Sequence, residues 1–240
     1  MARRGGNLDK IKALKAAFPY TIPVFTGFTF LGIAYGILMT SKGYGLIWTL
    51  LMSLFVFAGS SQYVAITFLT TAFNPVNAFL MSLAVNARHI FYGISLLDKY
   101  KAMGKVKPYL IFGLCDETFS IICSTEPPEG ISKKWFAFFI TFLDHMYWVL
   151  GSVIGALVGY MLPASIEGLD FVLTALFVII FVGHWKKKEN RKPAAIGVIC
   201  SVISLLILGP DNFIIPSMIA IIIVLTLGRK GLDLERMDKI

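Results

Sequence analysis

With 240 residues, 57% of them hydrophobic and only 15% charged, the chain lies far from soluble proteins, in which about a quarter of residues are charged. Its formal net charge of +8 sits mostly in short stretches between apolar segments. That is the distribution of topogenic charge and of contact with anionic membrane lipid, and it excludes a nucleic-acid surface. Three cysteines without a Cys-x-x-Cys spacing exclude a disulfide framework and a structural zinc site.

The first stretch, 1–17, carries Arg3, Arg4, Lys10, Lys12 and Lys15 and reads as a cytoplasmic tail. The apolar run after it is too long for a signal-peptide core. Eight apolar segments follow: 18–39, 46–73, 76–97, 108–123, 135–162, 168–185, 193–208 and 211–228. A span needs about 20 residues, so 108–123 is short. The expected fold is all-α: a polytopic membrane protein of about eight helical segments, some broken or re-entrant, forming one domain over 18–228 with a second tail at 229–240. Asp211, after Gly209-Pro210, is expected to cap a helix. Trp48, Trp135, Trp148 and Trp185 are expected at the membrane interfaces.

Orientation follows lysine and arginine. Besides the N-terminal tail, loops 98–107 and 186–192 and the C-terminal end are basic, and all four favour the cytoplasm. Eight simple crossings satisfy three of them but strand loop 98–107, with Lys99, Lys101, Lys105 and Lys107, on the far side. A re-entrant 108–123 repairs this only if an upstream segment also fails to cross, and 46–73 is the candidate. An internal duplication is also indicated: Leu31-Gly32-x-x-x-Gly36 resembles Leu150-Gly151-x-x-x-Gly155, a pattern of repeats common in transporters.

Polar residues within these segments mark a functional site, because hydrocarbon tolerates them only where protein or water surrounds them. Gly59, Ser60, Ser61 and Gln62 interrupt 46–73. A helix broken there offers free N–H groups and a positive dipole end to a substrate carboxylate. In the next segment Ser82, Asn86, His89 and Gly93 share one helical stripe, while Arg88 faces elsewhere. Asn86 and His89 are therefore assigned to the substrate site. Arg88 stays charged and needs an anion: Asp116, Glu117, Asp144 or the substrate. Arg88, Asp116, Glu117, Asp144 and His145 form the coupling or gating set, the carboxyls as proton carriers and His145 as a relay. The ridge Gly151-x-x-x-Gly155-x-x-x-Gly159 is helix packing.

Gly59-Ser60-Ser61-Gln62-Tyr63, Asn86-Ala87-Arg88-His89 with Tyr92-Gly93, and Asp116-Glu117-Thr118-Phe119 resemble, in order, the motifs of the azaleucine-resistance (AzlC-type) family of branched-chain amino acid permeases. Ser61, Tyr63 and Ala87 depart mildly from the family forms. The resemblance covers roughly 15–230. It implies export of branched-chain amino acids, in some members methionine, across the bacterial inner membrane. It also implies a small membrane partner of the AzlD type. The sequence has no nucleotide-binding motif of the Walker type, so drive by an ion gradient, most simply protons, is expected, without a cofactor.

Two other classes remain. One is a channel or a non-transporting scaffold subunit. The other is an intramembrane enzyme, but the chain has neither His-Glu-x-x-His nor Gly-x-Ser-x-Gly.

Overall fold

The computed structural model describes residues 2–71, 74–162, 171–186, 191–209 and 213–228. Asp211 and the tail 229–240 lie outside them. The described residues contain eleven α-helices: α1 (Ala2–Ser41), α2 (Leu46–Phe55), α3 (Gly59–Thr70), α4 (Pro75–Asn86), α5 (Arg88–Lys101), α6 (Lys107–Phe112), α7 (Asp116–Ser124), α8 (Lys133–Gly159), α9 (Phe171–Lys186), α10 (Arg191–Leu208) and α11 (Ile214–Leu227). They fall into two compact units, 1–170 and 171–240. In the second unit α10 packs against both α9 and α11.

The first unit is built on α1 and α8, which run parallel. Tyr20 meets Phe136 edge-on, Phe28 meets Trp148, and Thr40 Oγ1 donates to the Ala156 carbonyl. Glycine permits this approach. A methyl group on Gly32 would lie 2.9 Å from the Ser152 nitrogen, and one on Gly151 would lie 2.8 Å from the Thr29 carbonyl oxygen. The two similar Leu-Gly-x-x-x-Gly stretches are thus each other's packing partners. Close backbone contact requires small residues on both helices.

The contacts give each remaining segment a direction. The first residues of α2 lie beside the end of α8, where the Leu46 N–H donates to Tyr160 Oη at 2.9 Å. The last turn of α3 returns to the same face, where Tyr44 Oη donates to the Leu69 carbonyl at 2.7 Å. Segment 46–70 is therefore a re-entrant hairpin, turning at Val56–Ala58. Phe57 has φ +24° there, a value L-residues rarely adopt. Ten residues in α2 rise about 15 Å, half the hydrocarbon thickness.

The pair α4–α5, bent by 46° around Ala87, does cross. It ends with Leu96 and Tyr100 packed beside Ala17 and Phe136, near the starts of α1 and α8. From that N-terminal face α6 enters. The chain turns at Gly113–Cys115, and α7 returns to where Glu126 meets Lys99 and Lys133. Those two lysines hold the Glu126 carboxyl below the usual glutamate range.

Of the two topologies that the basic loops leave open, the contacts favour the one with two re-entrant segments. Residues 46–70 and 107–124 form two hairpins inserted from opposite faces, because each limb is too short to cross and bonds back onto its neighbours. This arrangement removes the conflict over loop 98–107: with α1, α4–α5 and α8 as the crossings among the described residues of the first unit, its lysines lie on the face of the N-terminal tail. Non-helical backbone at this depth is tolerated because protein covers it. Large apolar side chains point outward, among them Phe30 at 67% and Phe55 at 72% exposure, as a lipid-facing surface requires.

Candidate functional site

Broken helices leave orphan carbonyls and N–H groups. At the end of α2 two carbonyls are met by side chains. Gln62 Nε2 donates to Met52 O at 2.8 Å, alongside the Val56 N–H that the same carbonyl accepts, and His145 Nε2 donates to Ser53 O at 3.2 Å. Because a carbonyl only accepts, the proton of His145 is on Nε2. Its Nδ1 then accepts from Tyr109 Oη at 3.0 Å. His145 thus ties both hairpins to α8, with Phe57 and Phe112 packed on its ring.

Gln62 is fully buried, and its Oε1 accepts the indole N–H of Trp148 at 2.7 Å. Gly59 has no side chain because that same ring fills the space; a methyl group would lie 2.9 Å from Trp148 Cη2. Trp148 is 3% exposed, so its expected place at the membrane interface is corrected. Trp135 does conform, lying beneath Lys10 and Lys134 near the N-terminal face.

The bend at Ala87 lies against the first turn of α3. Asn86 Nδ2 donates to Ser61 Oγ at 2.6 Å and to the Ser82 carbonyl at 2.8 Å, which leaves its Oδ1 as an acceptor. His89 Nδ1 donates to the Asn86 carbonyl at 3.1 Å, which leaves Nε2 as an acceptor. Arg88 leaves the chain on the other side. Its Nη2 donates to Ser60 Oγ at 3.2 Å, and its Nε lies 3.0 Å from Asp116 Oδ1. That pair is an ion pair by distance, but it lacks the alignment of a hydrogen bond. One guanidinium so joins the first residues of α3 and α7, half-helices of the two opposed hairpins.

Asp144 is fully buried, and its Oδ2 accepts from Thr118 Oγ1 at 2.9 Å. Glu117 lies on α7 between Asp116 and Thr118 and belongs to the same charged neighbourhood as Asp144 and Cys115. Asp144 and His145 bond to different partners.

A cavity of about 510 Å³ lies where these breaks converge. Ala58 at the first turn, Asn86 and His89 beside the bend, and Leu114 at the second turn line it. Gly93 extends the stripe, Ile90, Ile94 and Leu97 give it an aliphatic wall, and Lys107 stands at the N-terminal-face side. Of the residues singled out for substrate, Asn86 and His89 line the cavity directly. Gly59, Ser60, Ser61 and Gln62 follow Ala58 without lining it. Tyr109, Thr118, Ser53 and the indole of Trp148 complete the polar framework and were not singled out. Thr118 stood within the Asp116-Glu117-Thr118-Phe119 motif, and the others carried no signal in isolation.

Residues 23–162 match the family model described as AzlC protein, a range that includes every residue of this site. The chain is 53% identical over 92% of its length, and 87% of the relative's, to a Bacillus subtilis protein named "Branched-chain amino acid transport protein AzlC". It is 42% identical over 90% of its length, and 89% of the relative's, to an uncharacterized membrane protein of Haemophilus influenzae. It is also 29% identical over 71% of its length, and 72% of the relative's, to the Escherichia coli inner membrane protein YgaZ. No solved structure matches.

Proposed function

The chain belongs to the AzlC family, and from that premise we propose that it exports branched-chain amino acids across the bacterial inner membrane as a proton-driven secondary transporter. The observation that carries this reading is the cavity at the meeting point of two opposed hairpins and a bent crossing helix. Its volume is in the range of small-molecule sites, and it combines aliphatic walls with few polar groups. That is the pattern an amino acid with an apolar side chain requires.

Each part of the substrate has a partner of suitable chemistry. The unpaired N–H groups in the first turn of α3, beginning at Gly59 beside the lining residue Ala58, suit the carboxylate. His89 Nε2 and Asn86 Oδ1, both left as acceptors, suit the ammonium group. Ile90, Ile94 and Leu97 receive the side chain. Ser61 and Gln62 hold the binding residues in place: the first orients Asn86, and the second secures the hairpin to Trp148. Arg88 and Asp116 form the gate, since breaking their contact frees the tip of one hairpin from the other. A small AzlD-type membrane subunit is the proposed partner, and no chemical step on the substrate is part of this reading.

Exchange in proteoliposomes tests it. The chain, reconstituted with its small subunit and loaded with unlabelled leucine, is expected to accumulate labelled leucine transiently. A scaffold subunit gives no uptake, and a channel gives equilibration without the transient overshoot. Either result contradicts the proposal.

A further inference from the structure

We propose that Asp144 is the group that binds and releases the driving proton, and that Thr118 passes its state to the hairpin α6–α7. The assignment rests on the transporter reading above and names the coupling residue within it.

Asp144 lies midway along α8 and has no exposed surface. One carboxylate oxygen holds Thr118 Oγ1, while Oδ1 is buried without a partner. Among the described residues, no lysine, arginine or histidine forms an ion pair with it. Its surroundings are otherwise neutral or acidic. From α7 it is faced by Glu117 and by Cys115, whose Sγ lies 3.2 Å from Thr118 Oγ1. From α6 comes Tyr109, already bound to His145. His145 is turned toward Ser53, and α2 carries no titratable residue. On α1 the charged residues end at Lys15, and Tyr35 is stacked on Trp148. Asp116, by contrast, already has a cation beside it in Arg88.

A buried carboxylate without a counter-charge is costly, and uptake of one proton removes that cost. The proton comes from water on one face, converts the carboxylate to the acid, and leaves to water on the other face. In the anion, Thr118 donates to Oδ2. In the acid, Oδ2–H donates to Thr118 Oγ1, whose own hydrogen turns to Cys115 Sγ. Thr118 is two residues from Asp116, in the first turn of the same half-helix. The swap therefore acts at the tip that Arg88 connects to the other hairpin.

The test uses the full chain with its small subunit in proteoliposomes, with a pH gradient imposed. Asp144→Asn is expected to lose gradient-driven leucine accumulation to the level of empty liposomes, while its residual exchange becomes independent of pH. Infrared difference spectra between high and low pH are expected to show, in the wild type, in Asp116→Asn and in Glu117→Gln, a protonated-carboxyl band that is missing from the Asp144→Asn spectrum. Thr118→Val keeps the carboxyl but removes its bond, so the pH midpoint of driven transport shifts. Three results overturn the assignment: accumulation by Asp144→Asn under a pH gradient, a carboxyl difference spectrum unchanged by that substitution, or drive of the wild type by a sodium gradient but not by protons. Failure of the wild type to exchange leucine at all removes the transporter reading instead.

Discussion

The indole N–H of Trp148 donates to Oε1 of Gln62 at 2.7 Å, fastening the middle of α8 to the returning limb of the first hairpin. Gln62→Ala leaves the buried Trp148 indole N–H without its acceptor, while the Met52 carbonyl keeps the Val56 N–H. An unsatisfied buried group costs about 1–3 kcal/mol. The variant is expected to lower the melting temperature in detergent and to lose transport with it. Trp148→Phe removes the other partner, and the double variant is expected to cost less than the sum of the two. Additive losses would show that the contact does not hold the hairpin.

The Arg88–Asp116 pair is about one-third exposed at both ends, at 35% and 32%, so its contribution to stability is small and lies within the range of surface ion pairs, about 0–1 kcal/mol. Its effect is expected in transport. Arg88→Lys retains charge but lacks the planar fork that reaches Ser60 and Asp116 together. Exchange by Arg88→Lys is expected to fall well below the wild type at unchanged melting temperature. Wild-type exchange by this variant would remove the gate.

Two glycines separate packing from passage. Gly155 faces the backbone of Ile33, and Gly155→Leu is expected to prevent a stable fold. Nothing lies within 4 Å of a methyl group built on Gly93, which lines the cavity. Gly93→Leu is therefore expected to fold normally and to block leucine exchange. Size-exclusion profiles and counterflow on the same preparations decide both.

Much of the site was legible because helical spacing is a short-range property. Asn86, His89 and Gly93 of the expected stripe line the cavity on both sides of the bend at Ala87, Ser82 does not, and the need of Arg88 for an anion is met by Asp116, one of the expected acids. Direction was legible only through charge, which left two topologies open. Hydropathy reports that 46–73 lies at membrane depth, whether it crosses or turns back. The one available signal was the misplaced lysines of loop 98–107, which require two non-crossing segments. Trp148 was beyond reach for another reason: an indole suits a membrane interface and a buried hydrogen bond equally, and only the neighbouring Gly59 and Gln62 distinguish them.

The hairpin arrangement predicts which face each loop occupies. With Cys115, Cys123 and Cys200 replaced by serine, Lys12→Cys and Lys101→Cys are expected to resist a membrane-impermeant thiol reagent applied to intact cells. Met161→Cys, on the opposite face and 86% exposed, is expected to react. Labelling of Lys101→Cys together with Met161→Cys would restore eight simple crossings.

The most direct test asks whether leucine occupies the cavity. Gly93→Cys, in the same cysteine-free background and active in exchange, is placed where a small side chain meets only open space. Its reaction with a water-soluble thiol reagent is expected to slow as leucine is added, with half-protection at the concentration that half-saturates exchange. A reaction rate unaffected by leucine, in a preparation that still exchanges it, would place the substrate route elsewhere.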